Sequence, residues 1–308
     1  MFLAALVSVV ALTAGASVPH ELTVMSWNVF HRGHRKEIGE PATSNMIAII
    51  RKANPDVMIM IETYGCFERV KRELGYDGRL FESSGNRDNC NISVYSRYPI
   101  LSTFQPWSSK FHNGGCLIDV GGRKVNVVPV WLNYLPDARD TPCGKGEEEI
   151  LKWEKDVRSP RIEQIGLILK GLAPQLAEKD TVPIVMGGDF NGFSHLDWTE
   201  GVRWLYGHGG EVVGWPVSKA VVAAGFTDSF RAVHPNPLYA PGISWLSHHG
   251  RSERADRIDY IYSAGPLEAV ESEVVNADYR GPLDFRGTVF NPYPSDHGFV
   301  LTKFRFAN

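Results

Sequence analysis

Short apolar runs that stop on a polar residue recur along this chain. Leu22 to Trp27 is mostly apolar and ends on Asn28. Val57 to Ile61 is wholly apolar and ends on Glu62. Val182 to Met186 is another such run; Gly187-Gly188 follows, then Asp189, with Asn191 two residues on. Runs this short suit buried strands better than helices. Ile92 to Tyr95, Leu117 to Val120, Lys124 to Trp131, Asp256 to Tyr262 and Phe299 to Phe306 read as further strands, with Gly121-Gly122 turning a hairpin. Helical stripes run over Asn45 to Ala53, stopped by Asn54-Pro55, and over Phe67 to Leu74, Glu147 to Val157, Arg161 to Leu172 and Val217 to Ala224. Residues 137–145, 191–214 and 281–294 read as loops. Strands and helices therefore alternate irregularly, and the layer rules point to an α/β (α+β) fold of sheets covered by helices.

The polar ends change this picture. Asn28, Glu62, Asp189 with Asn191, Asp259 and Asp296-His297 each sit at or beside a strand terminus. Singly, each has a bland reading. Glu62 suits a surface carboxylate, Asp259 a buried partner of Arg257 or Arg254, and His297 a turn histidine. Asp189 and Asn191 suit an Asx-turn. Together they describe carboxylates and amides converging on one pocket, where like charges require a cation or protons to coexist. Oxygen donors of this kind match a hard divalent ion.

Composition narrows the classes. The 308 residues are 43% hydrophobic and 22% charged, with a net charge of -3. That balance argues against a protein gripping many phosphates through a basic face. Met1 to Ala16 is apolar, uncharged and ends Ala14-Gly15-Ala16, the pattern of a secretory signal peptide. The expectation is export of a single domain over 17–308, with no transmembrane segment. Cys66, Cys90, Cys116 and Cys143 form no Cys-x-x-Cys pair, so zinc is disfavoured; one or two disulfides or buried free thiols both fit.

In their order, Trp-Asn28, Glu62-Thr63, Gly188-Asp189-Phe-Asn191, Arg257-Ile-Asp259-Tyr and Ser295-Asp296-His297 resemble the endonuclease/exonuclease/phosphatase superfamily, the deoxyribonuclease I-like fold, from about Leu22 to Phe306. The resemblance implies a four-layer αββα sandwich of two mixed β-sheets flanked by helices. It implies phosphate ester hydrolysis with Mg²⁺ or Mn²⁺. Carried over by position, Glu62 is the principal metal ligand, with Asn28 and Asp296 supporting the metal. Asp189 orients or deprotonates the attacking water, and Asn191 holds a phosphate oxygen. His297 contacts the scissile phosphate, and Asp259 fixes its tautomer.

One position departs from the pattern. Trp131 stands where many members of that superfamily carry a histidine. Indole has an N-H donor and no titratable group. Either Asn133 or Tyr134 takes part of that role, or activity is retuned, or the chain is a catalytically weak binding module; core packing is the bland reading of Trp131. Asn133, His195 and Trp245 are candidate substrate contacts. His31-Arg32 and His34-Arg35 form a small basic patch that meets a phosphate or only solvates a loop. The resulting expectation is a secreted, monomeric phosphodiesterase acting on a small molecule or phospholipid head group, with a nuclease as the alternative.

Overall fold

A computed structural model describes residues 19–33, 40–155, 160–245, 255–278 and 280–307. The apolar leader Met1–Ala16, His34-Arg35, Val157 and Arg254 lie outside the described residues. In chain order the strands are β1 (Glu21–Asn28), β2 (Val57–Ile61), β3 (Asp77–Leu80), β4 (Ser93–Ser96), β5 (Ile100–Phe104), β6 (Gly115–Val120) and β7 (Arg123–Trp131). They continue with β8 (Ile184–Asp189), β9 (Thr227–Asp228), β10 (Asp259–Ala264), β11 (Leu267–Val275), β12 (Leu283–Phe285), β13 (Thr288–Phe290) and β14 (Phe299–Phe306). Two six-stranded sheets result, ordered β11-β14-β1-β2-β4-β3 and β5-β6-β7-β8-β10-β9. Both are mixed: β1 runs parallel to β2, and β7 parallel to β8, among antiparallel neighbours.

The side-chain period of two assigns each strand residue to a layer. Val57, Ile59 and Ile61 of β2 point between the sheets, where they meet Val185 of β8, Val127 of β7 and Ile261 of β10. Met58 and Met60 point outward, under helices α1 (Glu40–Ala53) and α2 (Phe67–Leu74). On the far side, Ile184 and Met186 face α4 (Arg161–Gly171) and α6 (Pro216–Ala223); α3 (Glu147–Glu154) precedes α4 in sequence and α5 (Ala173–Ala177) follows it. Strands buried on both faces carry apolar residues at every position, which is why β2 and β8 read as unbroken runs. The architecture is the expected four-layer αββα sandwich.

Several boundaries differ from the sequence reading. Helix α1 begins at Glu40 rather than Asn45, because buried Ala42 carries the apolar stripe one turn further back. The strand expected from Asp256 starts at Asp259. β11 was legible only as polar sequence: its side chains are mostly exposed or half-buried, so no apolar run marks it. Within 281–294, read as a loop, β12 and β13 form a hairpin. Arg286 (φ 50) and Gly287 (φ 71) turn it, the two positive φ values that a type I′ turn requires. The four cysteines form no disulfide, and Cys66, Cys90 and Cys116 are buried. Burial pushes the Cys66 and Cys116 thiols up to about 12, so neither is a thiolate at neutral pH.

Candidate active site

The strand parity that builds the inter-sheet core also aims the polar ends. Leu22 and Val24 of β1 point inward, and Asn28 shares their parity. Val185 points inward from β8, as Asp189 then must; Ile261 and Asp259 share the inner parity of β10. Asp189 pairs in register with Asp259 on one side and Trp131 on the other. The side chains meet where the seam between the sheets opens into a cleft of about 590 Å³. Glycine makes the approach possible: Gly188 has φ +139, and a Cβ there would lie 1.8 Å from the Val130 carbonyl oxygen.

Asn28 is the hub of the cluster. Its Nδ2 donates to Glu62 Oε1 at 3.2 Å and to Asp189 Oδ2 at 3.0 Å. Its Oδ1 accepts the Phe30 N–H at 2.9 Å, which fixes the orientation of the amide. Asn28 thus braces two carboxylates. Asp189 is almost fully buried and also accepts from the backbone and side-chain nitrogens of Asn191, at 2.8 and 3.2 Å. Asn191 in turn donates to the Leu132 carbonyl at 2.8 Å. Burial drives the Asp189 carboxyl up to about 7; His297 opposes the rise, and Asp259 adds to it.

His297 forms the other half. Nδ1 lies 2.9 Å from Asp259 Oδ2, so Nδ1 carries the proton and donates. Ser244 Oγ accepts the N–H groups of Ile258 and Asp259 and donates to the same Asp259 oxygen at 2.7 Å. The hydroxyl therefore locks the carboxylate that locks the imidazole. Nε2 is left 4.0 Å from Asp189 Oδ2 and 3.9 Å from Asp296 Oδ1. Burial alone would lower the pKa of His297; Asp259 and Asp189 outweigh it and hold the ring well above its ordinary value, as imidazolium. Ser295 Oγ accepts the His297 N–H and donates to the Asn28 carbonyl at 2.6 Å, tying the end of β1 to the histidine turn.

The Glu62 end is built on strained backbone. Glu62 itself has φ 60. Phe30 (φ 45), His31 (φ 52), Arg32 (φ 63) and Gly33 (φ 64) make one left-handed turn, closed by Gly33 N–H on the Val29 carbonyl at 2.6 Å. Such a turn costs about 1–2 kcal/mol for each non-glycine residue. It puts the His31 N–H 3.0 Å from Glu62 Oε2. Strain of this kind clusters at functional sites.

Of the residues singled out in the sequence, Asn28, Glu62, Asp189, Asn191, Asn133, Trp245, Asp296 and His297 line the cleft, with His31 at its edge, and Asp259 lies behind His297. His195 does not line it. Its Nδ1 is 2.8 Å from Ser218 Oγ on α6, which turns the ring away from the seam. Trp131 is both wall and core: it is 9% exposed and belongs to the inter-sheet cluster. His112, unremarked in the sequence, stacks on it at 5.4 Å and 19°. Nδ1 of His112 donates to the Trp131 carbonyl at 2.9 Å, and the Gln164 amide approaches Nε2 at 3.4 Å. Gln164 Oε1 accepts the Asn133 N–H, so its NH₂ faces the ring. Both nitrogens are used as in a neutral imidazole, and burial lowers the His112 pKa. His112 is therefore no stand-in for a charged histidine at position 131.

Arg161 also escaped the sequence reading. It is 1% exposed, bidentate to Glu154, and donates to the carbonyls of Asn133, Pro136 and Asn191 at 3.3, 3.1 and 2.9 Å. One guanidinium thus holds the loops after β7 and β8 together. Arg161→Ala is expected to destabilise by about 3–5 kcal/mol in denaturant unfolding, because Glu154 is left buried and uncompensated. Arg161→Met with Glu154→Met should recover most of that stability while turnover stays low. Full turnover in the double variant would show that the loops hold their geometry without the clamp.

The carboxylates of Asp189, Asp259 and Asp296 crowd around a single imidazolium, with Glu62 beside them. The negative charge in this buried space exceeds what His297 offsets, and oxygen donors predominate. The residues fit a hard divalent cation. Ligand atoms of Asp189, Asp259 and His297 lie within 4.8 Å of one another, with His297 and Asp259 already paired; Glu62 and Asp296, the metal residues that the sequence resemblance implies, line the same cleft.

The model of the endonuclease/exonuclease/phosphatase family matches residues 25–297. The chain belongs to that family. Its members are metal-dependent phosphoester hydrolases, typically using Mg²⁺ or Mn²⁺, and the Asp-Asp-His cluster is compatible with such an ion. The uncharacterized protein F14F9.5 of Caenorhabditis elegans is 27% identical over 308 residues, spanning 94% of this chain and 93% of that one. Among solved structures, TDP2 of D. rerio with a single-strand DNA product matches with TM-score 0.60 and 12% identity, covering 93% of this chain and 100% of that one. An AP endonuclease from Archaeoglobus fulgidus matches with TM-score 0.59 and 17% identity, covering 91% and 98%. At these identities the likeness is one of fold. No helix among the described residues is long and apolar enough to cross a membrane.

Proposed function

We propose that this chain is an exported, monomeric phosphodiesterase that hydrolyses a compact phosphodiester, a small molecule or a phospholipid head group, by water attack at the cleft. The observation that carries the reading is the arrangement Asp189–His297–Asp259, with Asn28 joining Asp189 to Glu62. Asp189 takes the proton of the attacking water. His297 as imidazolium offsets charge on the phosphoryl oxygens as the bond to the leaving oxygen breaks. Asn191 fixes the Asp189 carboxylate, and Asp259 holds the imidazole in its Nδ1–H form. A divalent cation held by Glu62 and Asp296 would supply charge neutralisation at the phosphate and a more acidic water.

The preference for a compact substrate rests on the walls. Phe111, His112, Trp131 and Tyr134 line the cleft together with Tyr64, His31 and Trp245; no lysine or arginine is among the described lining residues. Arg139 lies over Trp245 at 5.5 Å, but Asp137 engages it. A cleft that follows a polynucleotide needs several cations along its length. The nuclease reading retains one support, the fold shared with a TDP2 bound to single-strand DNA product. Export rests on the apolar leader Met1–Ala16 alone.

The test is turnover of bis-p-nitrophenyl phosphate, sphingomyelin, single-stranded DNA and plasmid by the mature protein in Mg²⁺ or Mn²⁺. Chelation is expected to abolish activity and added Mn²⁺ to restore it. Glu62→Gln should raise the cation concentration needed by roughly tenfold or more. Cleavage confined to the nucleic acids would replace the compact-substrate reading with the nuclease one. Chelator-resistant turnover would remove the metal from the chemistry.

A further inference from the structure

We propose that His31 is a direct ligand of the divalent cation and shifts the site's preference from Mg²⁺ toward Mn²⁺. This rests on the metal-dependent reading above, and nothing in the family pattern read from the sequence assigns His31 a role. His31 Nε2 lies 3.8 Å from Glu62 Oε2. That distance is too long for a hydrogen bond. It is within the span that two ligands of one ion can reach, since ligands each about 2.0–2.2 Å from a metal lie at most roughly 4 Å apart. The carboxylate oxygen has its hydrogen bond already, from the His31 backbone N–H at 3.0 Å. At this distance the ring nitrogen makes no hydrogen bond to that oxygen and stands beside it.

The ring is also held for the purpose. It stacks on Tyr64 at 5.4 Å and 27°, and Phe30 meets it edge-on at 5.3 Å and 63°. The left-handed turn that carries it is strained at three non-glycine residues, and an exposed histidine–glutamate pair would not repay such strain. A shared cation would. With the side chain still 57% exposed, the nitrogen remains open to the cleft. Imidazole is a softer donor than carboxylate or water and favours first-row transition ions, whereas Mg²⁺ takes oxygen ligands and keeps its waters.

The experiment uses the full tag-free chain and binding rather than turnover. Mn²⁺ and Mg²⁺ are titrated calorimetrically into wild type, His31→Ala and Glu62→Gln, and bound Mn²⁺ is probed by pulsed electron paramagnetic resonance for nitrogen coupling. The expected result is nitrogen coupling in wild type that disappears in His31→Ala. Mn²⁺ affinity should fall roughly tenfold or more there, and Mg²⁺ affinity less than about twofold. Unchanged coupling and Mn²⁺ affinity in His31→Ala overturn the proposal. Loss of coupling in His297→Ala instead would assign the nitrogen elsewhere and overturn it too. Glu62→Gln separates the levels: it should weaken both ions whatever His31 does. If it weakens neither, the cation site itself is misplaced, and the proposed function fails with it.

Discussion

His297→Ala is expected to lower kcat by about 10²–10⁴-fold with little change in KM. The ring is buried and cationic, and its Nε2 is held toward the cleft by a chain of fixed contacts from Ser244 through Asp259. An imidazolium placed beforehand interacts more strongly with the charge that builds during P–O cleavage than with the ground-state diester. Its loss therefore appears in kcat. Asp259→Asn should give a smaller loss and a lower pKa for the basic limb of the rate profile, because the amide no longer stabilises the cationic ring. Metal-dependent turnover that survives His297→Ala undiminished would take the imidazole out of the reaction.

Asp189→Asn is expected to cost at least about 10²–10⁴-fold in kcat and to abolish the acid limb of the pH–rate profile. In the cation-free protein burial holds this carboxyl at about 7, within the range of a general base; a bound cation would pull the limb lower. The same shift predicts how stability depends on pH. The carboxyl rises from 3.8 in the unfolded chain to about 7 in the fold. Between those values the folded state holds the extra proton, so stability falls as pH rises through the window. His297 acts in the same direction: its raised pKa stabilises at low pH, and that contribution is lost as pH rises through the folded value. Chelated wild type should therefore unfold at lower denaturant concentration at pH 8 than at pH 5, and added Mn²⁺ should reverse the difference. A flat profile under chelation would mean that water reaches Asp189 freely.

Much of the site was legible because strand geometry is periodic. Once β1, β8 and β10 are recognised, parity alone sends Asn28, Asp189 and Asp259 into the seam between the sheets, and glycine before Asp189 marks a close backbone approach. Residues that act through backbone groups were not legible. Arg161 looks like any helix-start arginine until three carbonyls from two loops surround it. Ser244 and Ser295 are ordinary serines until they meet a carboxylate and a histidine turn. His195 misled because nearness in sequence to Asp189 says nothing about where a loop turns, and here it turns toward α6.

The chain's own order of residues determined which polar side chains end each strand and which face of each strand they share, since alternation and burial are local properties. Tertiary structure alone decided that Asn28 reaches both Glu62 and Asp189, that Ser244 locks the Asp259 carboxylate, and that His31 faces Glu62 from a left-handed turn. Those distances depend on how two sheets stack and which loops close over their edge, and no local preference encodes a contact across 161 residues.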